Sequence, residues 1–121
     1  PTSFMIAYDG RESAERALQK VLDGGLLHGI DCHLVAIKNN ESELKVKFEN
    51  AASQLVERGL KVTTAFLEGN INEELFKYQV ENNIDLLVMG AFGHSRLRQL
   101  FVGSNTIKML EATDIPLIVL R

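Results

Sequence analysis

Apolar and polar positions divide the chain into two kinds of segment that alternate from its beginning to its end. Short apolar runs are typical of buried strands and comprise Ser3–Tyr8, Cys32–Lys38, Lys61–Leu67, Ile84–Met89 and Ile115–Leu120. Between these runs, apolar residues recur three or four positions apart, which indicates amphipathic helices. Strict alternation, with strands that are apolar on both faces, predicts a parallel sheet covered by helices on either side.

Local signals help to place the predicted helices. Ser13 is a candidate N-cap of the first helix, Asn39-Asn40 marks the end of the second strand, and Gly59 stops the second helix. Asn70 with Glu73 resembles a capping box before the third helix. The apolar positions are Ala14, Ala17, Leu18, Val21 and Leu22 in the first helix; Leu44, Phe48, Ala51, Ala52, Leu55 and Val56 in the second; Ile71, Leu75, Tyr78 and Val80 in the third; and Ile107, Met109 or Leu110, and Ala112 in a fourth that starts near Ser104.

The order of the strands can be predicted from general rules of chain connection. Right-handed crossovers favour a doubly wound, three-layer α/β sandwich with a five-stranded parallel sheet of order 3-2-1-4-5. Strands 1 and 4 then flank the point where the winding reverses, and ligands bind beyond the carboxyl ends of strands at such a point. Asp9 follows strand 1 and Gly90 follows strand 4, so both are expected in one crevice.

A glycine pattern with long spacing begins at the end of the fourth strand. Gly90, Gly93, Gly103 and Ser104 form Gly-x2-Gly-x9-Gly-Ser, and the last two open a predicted helix. Glycine lets the backbone approach a ligand closely, and the N–H groups and dipole of a helix N-terminus attract anions. The pattern predicts a cradle for nucleotide phosphates. The alternative is that these glycines only form turns.

Composition and charge narrow the classes of partner. The chain has 121 residues, enough for one domain with a core of its own, and its net charge of −3 argues against a duplex nucleic-acid partner. It has no apolar run long enough to span a membrane, and its start does not resemble a signal peptide. Cys32 is the single cysteine and cannot form an internal disulfide, which fits a reducing compartment. We therefore expect a cytoplasmic location. Because the chain starts at Pro1, we expect either a protein that has lost its initial methionine or one half of a tandem-domain protein.

The features together resemble the universal stress protein family. They are the Asp-Gly turn at Asp9, the complete pattern from Gly90 to Ser104, and Pro116-Leu-Ile-Val near the end of the chain. The resemblance covers essentially the whole chain and implies a flavodoxin-like, adenine nucleotide α-hydrolase-like fold. It also implies a cytoplasmic, usually dimeric protein that takes part in stress responses and binds ATP or AMP, with or without Mg²⁺.

The resemblance also implies the site residues. Asp9 would line the nucleoside, Ala7 would lie under it, and the backbone of Ala36 would meet the base. The alternative for Asp9 is that its side chain only hydrogen-bonds its own turn. The positions implied for the ribose and phosphates are Gly90, Gly93, Gly103 and Ser104. Three further candidates complete the set: Met89 before the first glycine, Arg96 as a cation for the phosphates or a solvated side chain of the loop, and Asn105 as a phosphate donor or a solvent-facing side chain. Little chain separates strand 2 from helix 2, where the family often carries a segment that helps to cover the nucleotide.

The fifth strand is a candidate interface because it would form an apolar edge of the sheet. In the resembled family this strand pairs across a dimer axis. A second copy of the chain and a sister domain of the same parent chain are both possible partners here. The residues concerned are Leu117, Ile118, Val119 and Leu120.

Two other functions remain open from the sequence. One is a slow ATPase or phosphotransferase in the same pocket, although the chain has no P-loop and no evident acidic pair for Mg²⁺. The other is a nucleotide-free interaction domain. A response-regulator receiver would need an aspartate where Leu67-Glu68-Gly69 stands, and a flavodoxin would need a Ser/Thr-rich loop where Asp9-Gly10-Arg11-Glu12 stands. The spacing of His28, His33 and His94 does not suggest a metal site.

Overall fold

Strands and helices alternate along the chain in the computed structural model, which describes residues 2–25, 27–90 and 117–120. The elements are β1 (Ser3–Ala7), α1 (Glu12–Asp23), β2 (Asp31–Ile37), α2 (Leu44–Glu57), β3 (Val62–Leu67), α3 (Ile71–Glu81), β4 (Leu87–Gly90) and β5 (Leu117–Leu120). The predicted fourth helix, near Ser104, lies outside the described residues.

The strands form a parallel sheet of order β3-β2-β1-β4-β5, which confirms the predicted doubly wound arrangement. β1 pairs with β2 on one side and with β4 on the other, so the winding reverses between β1 and β4. The register aligns Ile6 of β1 with Val88 of β4, and Gly90 of β4 with Leu120 of β5. Because all of the strands are parallel, their carboxyl ends meet at one edge of the sheet.

Side chains of each strand alternate between two apolar clusters, one on each face of the sheet. Phe4 and Ile6 of β1 pack under α1 and α2, whereas Met5 packs on the opposite face with Leu75 of α3. This alternation follows from the period of two in a strand and explains why the strands read as continuous apolar runs. Cys32 is fully buried beneath α1 and α2, and burial raises the pKa of its thiol to about 12.

The helix starts show one correct and one wrong prediction. Asn70 is the N-cap of α3, since its side-chain oxygen accepts hydrogen bonds from the backbone N–H groups of Asn72 and Glu73 at 3.0 and 3.1 Å. Ser13 is not the N-cap of α1, because the helix begins at Glu12 and Ser13 is only 4% exposed in its first turn. The turn before the helix is closed by a hydrogen bond from the Arg11 N–H to the Asp9 side chain, and the helix therefore begins before Ser13.

Two apolar positions assigned to helix stripes are exposed in the folded chain. Val56 of α2 is 58% exposed and Val80 of α3 is 52% exposed, so their assignment to the buried faces was wrong. Each directly follows a buried residue, and adjacent residues of a helix point about 100° apart. Gln79, and not Val80, is buried in α3, and its amide nitrogen donates to the carbonyl of Ile84 at 2.8 Å.

Candidate functional site

The place predicted for the crevice is the carboxyl ends of β1 and β4, between which the winding reverses. Ala7 is the last residue of β1 and Gly90 is the last residue of β4, and the two strands are hydrogen-bonded neighbours. Asp9 follows β1 directly and is half-buried. Met89 is buried beneath this edge on the α3 face. The structure therefore brings these four predicted residues to the same part of the sheet.

The turn after β1 is closed by the side chain of Asp9. Its Oδ1 accepts a hydrogen bond from the backbone N–H of Arg11 at 3.0 Å. Gly10, between them, has φ +77°, a left-handed conformation that glycine adopts without strain. Such an Asx turn lets Arg11 begin the helix as its N-cap residue although the Arg11 side chain makes no capping bond. Asp9 thus has a structural role in its own turn, beside any role toward a ligand.

Tyr8 joins the end of β1 to α1. Its ring is buried between the sheet and the helices, and its hydroxyl donates to a carboxylate oxygen of Glu15. Burial raises the pKa of the Tyr8 hydroxyl well above its ordinary value, and the hydrogen bond and charge of Glu15 raise it further. The phenol therefore stays protonated and acts as a fixed donor. The sequence marked Tyr8 only as the end of a strand, because its partner lies on another element.

The segment after β2 also contacts this turn. Asn39 donates from its side-chain nitrogen to the carbonyl of Asp9 at 3.4 Å, and Lys47 of α2 donates from Nζ to the carbonyl of Gly10 at 3.2 Å. Sequence reasoning treated Asn39 as strand punctuation and did not single out Lys47. Their side chains carry no local signal of these contacts, which join residues 30 and 37 positions apart.

Ala36 lies near the end of β2, one strand away from the crevice. Its side chain is 1% exposed and belongs to the core beneath α1 and α2. Any contact from Ala36 to a ligand must therefore use its backbone, as the resemblance implied. Residues 38–43 alone connect β2 to α2.

An open groove of about 450 Å³ lies beside this short connection, at the carboxyl ends of β2 and β3. Phe66 and Leu44 supply its apolar wall, and the remaining lining is polar or charged: Lys38, Asn39, Asn40, Glu41, Ser42, Lys45 and Glu68. Lys38 and Glu68 form an exposed ion pair at 3.4 Å across its end. Asn39 both lines this groove and donates a hydrogen bond to the turn that carries Asp9.

Of the residues predicted to hold the phosphates, Gly90 alone is among those that the structure describes. Gly93, Arg96, Gly103, Ser104 and Asn105 lie outside the described residues, so their roles stay predictions. Within residues 2–25, 27–90 and 117–120, groups of three or more His, Cys, Asp or Glu side chains that could hold a metal ion are absent. In the same ranges, no helix is both long and apolar enough to cross a membrane.

The fold is that of a doubly wound α/β protein in which the winding reverses between β1 and β4. A sequence profile of the Universal stress protein family matches residues 2–121, and the chain belongs to this family. The family predicted from the Asp-Gly turn and the glycine pattern is therefore confirmed.

Relatives from bacteria and archaea match most of the chain. Universal stress protein Slr1230 of Synechocystis is 37% identical over 122 residues, which cover 99% of this chain and 42% of that protein. Universal stress protein MJ0577 of Methanocaldococcus jannaschii is 28% identical over 93% of this chain and 72% of its own length. The chain thus spans less than half of the cyanobacterial relative.

Solved structures of similar proteins share the fold. The structure of MJ0577 covers 98% of this chain and 94% of its own, with a TM-score of 0.74 and 24% identity. A universal stress protein in complex with cAMP covers 99% of this chain and 96% of its own, with a TM-score of 0.73 and 16% identity. A family member from Arabidopsis thaliana with AMP bound covers 99% and 91%, with a TM-score of 0.66 and 14% identity.

Proposed function

We propose that this chain is a regulatory domain that binds an adenine nucleotide, ATP or AMP, in the crevice between β1 and β4. The observation that carries the proposal is the placement of Asp9, directly after β1, and Gly90, the last residue of β4, at the carboxyl ends of neighbouring strands where the winding reverses. The pattern Gly-x2-Gly-x9-Gly-Ser begins at that same Gly90. Related structures with cAMP or AMP bound support an adenine nucleotide as the ligand class.

The proposed roles divide the site into a nucleoside half and a phosphate half. Asp9, Ala7 and the backbone of Ala36 contact the ribose and base, with Met89 packed beneath them. The phosphates lie against the backbone of the glycine pattern, where a helix N-terminus attracts negative charge. The residues of the phosphate half are Gly90, Gly93, Arg96, Gly103, Ser104 and Asn105. Mg²⁺, where present, is held by the phosphates of ATP and by water.

Occupancy is proposed to act on partner contacts through β5. Gly90, in the site, is aligned in register with Leu120, so the site and the edge strand are directly joined. A ligand that orders the backbone at Gly90 would also order β5, which lies at the edge of the described sheet. The partner is a second copy of this chain or a sister domain on a longer chain. We place this domain, residues 1–121, in the cytoplasm and in the response to stress.

Native mass spectrometry tests nucleotide binding and assembly together. The protein is measured without ligand and with Mg²⁺-ATP or AMP at millimolar concentration. Gly103→Val in the cradle and Gly29→Val, a matched control, are measured in the same way. A Cβ at Gly29 would meet no atom within 4 Å. We expect wild type and the control to gain the mass of the nucleotide, and Gly103→Val to lose this gain.

Thermal unfolding and phosphate release in the same samples separate the alternatives. Ligand at about 100 times its Kd stabilises a protein by about 2.7 kcal/mol, so the Tm should rise clearly on binding. An unchanged mass and Tm with both nucleotides would contradict the proposal and favour a nucleotide-free interaction domain. Phosphate release above that of buffer would show slow ATP hydrolysis.

A further inference from the structure

Two side chains, one from the segment after β2 and one from α2, donate hydrogen bonds to consecutive carbonyl groups of the turn that carries Asp9. Asn39 donates to the carbonyl of Asp9 at 3.4 Å, and Lys47 donates to the carbonyl of Gly10 at 3.2 Å. We propose that Asn39 and Lys47 are positioning residues of the nucleotide site, which orient the Asp9 carboxylate before the nucleotide arrives. This inference rests on the proposed function.

The planarity of the peptide bond links Lys47 to the Asp9 carboxylate. The carbonyl of Gly10 and the N–H of Arg11 belong to one trans peptide unit and point in opposite directions. Lys47 binds the carbonyl end of this unit, and Oδ1 of Asp9 accepts from its N–H end at 3.0 Å. By fixing the direction of the peptide, Lys47 also fixes the donor that holds the carboxylate.

Asn39 acts on the preceding peptide unit, between Asp9 and Gly10. Its own side chain is held in place, because its Oδ1 accepts from the backbone N–H of Glu41 at 2.8 Å. The Glu41 carboxylate in turn lies 3.8 Å from Nζ of Lys47. Glu41 therefore supports both donors, one through its backbone and the other through its charge.

The packing of α2 leaves the turn little room to move. A Cβ at Gly10 would lie 3.1 Å from Cδ1 of Leu44 and 3.5 Å from Cδ of Lys47. Lys47 is half-buried, whereas its neighbour Lys45 on the same helix is exposed. Asn39 is likewise half-buried and Asn40 is exposed. Lys45, two residues from Lys47, and Asn40, next to Asn39, are therefore exposed controls of the same residue type.

Isothermal titration calorimetry with ATP and AMP tests this inference on Lys47→Met, Asn39→Ala and their controls Lys45→Met and Asn40→Ala. We expect each positioning variant to raise the Kd about tenfold, the effect of losing one well-placed hydrogen bond, while each control stays within about twofold. Lys47→Arg should restore the affinity, since its guanidinium can donate to the same carbonyl.

A double-variant cycle distinguishes positioning from general stabilisation. If Lys47 acts through the Asp9 carboxylate, Lys47→Met should not weaken binding further in an Asp9→Ala background. Amide hydrogen exchange gives a readout without ligand: Lys47→Met should accelerate exchange at the Arg11 N–H and leave the β1 amides unchanged. This measurement also shows whether the variant is folded.

The outcomes separate the two proposals. Wild-type protein that binds neither ATP nor AMP would overturn the proposed function and this inference with it. Wild-type binding with unchanged affinity in folded Lys47→Met and Asn39→Ala would overturn this inference alone. Additive effects of Lys47→Met and Asp9→Ala would also overturn it, because they would show that Lys47 does not act through Asp9.

Discussion

The backbone N–H of Arg11 donates to Oδ1 of Asp9 at 3.0 Å, so the carboxylate nearest the crevice also closes the turn that leads into α1. The two roles can be separated by substitution. Asp9→Asn keeps an oxygen acceptor for Arg11 but removes the negative charge, whereas Asp9→Ala removes both. The pair therefore distinguishes a residue that only shapes the turn from one that also contacts a ligand.

We expect Asp9→Ala to lower the free energy of unfolding by about 1 kcal/mol and Asp9→Asn to change it by less than about 0.5 kcal/mol. Nucleotide affinity should fall for both variants, because the charged acceptor is lost in each. Urea unfolding and calorimetry with ATP measure the two quantities. Asp9→Asn with wild-type affinity would assign Asp9 to the turn alone.

The contact between Tyr8 and Glu15 should contribute measurably to stability, since a neutral hydroxyl donates to a carboxylate in a partly buried position. Tyr8→Phe keeps the buried ring and removes only the donor. We expect the free energy of unfolding to fall by about 1.5 kcal/mol, the scale of a hydrogen bond to a charged group. In a Glu15→Gln background the same substitution should cost less. A loss of equal size in both backgrounds would contradict this account.

Stability should decrease as the pH falls below about 6.5, because of His33. Burial lowers the pKa of this imidazole, the nearby Asp31 carboxylate opposes that effect less strongly, and Nδ1 lies 2.8 Å from the Tyr78 hydroxyl. The unfolded chain therefore takes up a proton at a higher pH than the folded chain, and protonation favours unfolding.

Replacement of the imidazole tests this assignment. His33→Asn should remove much of the loss of stability between pH 7 and pH 5, measured as Tm in matched buffers. Tyr78→Phe is the control, since it removes the hydroxyl partner and leaves the titrating group in place. A wild-type pH dependence in His33→Asn would show that another group is responsible.

A second acid-sensitive contact joins the start of β1 to the chain before β4. The Asp85 carboxylate accepts from the backbone N–H groups of Thr2 and Ser3 at 3.0 and 3.1 Å, and the bond from Thr2 is the main cause of its lowered pKa. A carboxylate with a lowered pKa stabilises the fold above its unfolded value, near 3.8, and this contribution is lost as the pH falls through the folded value.

Asp85→Asn should therefore lower the Tm at pH 5 and have a smaller effect at pH 3, because below the unfolded pKa of 3.8 protonation of the unfolded chain reduces the contribution of the charge. The N–H groups of Thr2 and Ser3 donate to different oxygens of Asp85, so the asparagine removes one hydrogen bond together with the charge. Circular dichroism melting at pH 3, 4 and 5 measures the difference. An equal effect of the substitution at pH 3 and pH 5 would contradict the assignment.

The order of elements, the sheet topology and the family could be predicted from the sequence because their signals are local or nearly so. The continuous apolar runs of β1, β2 and β4 and the helical period of α1 are carried by residues close together in the chain. The Asn70 cap depends on N–H groups only two and three positions away. The glycine pattern from Gly90 to Ser104 is also a sequence feature, and the crevice was predicted by combining it with the strand order.

The tertiary structure alone decided the contacts that distant residues make with the turn at Asp9. Asn39 and Lys47 reach this turn across 30 and 37 residues, and Tyr8 finds Glu15 on the next element. It also decided that Gln79, and not Val80, lies on the buried face of α3, because the carbonyl of Ile84 accepts a hydrogen bond from the buried Gln79 amide. Local periodicity determines which elements form, whereas hydrogen bonds between distant residues depend on how those elements pack.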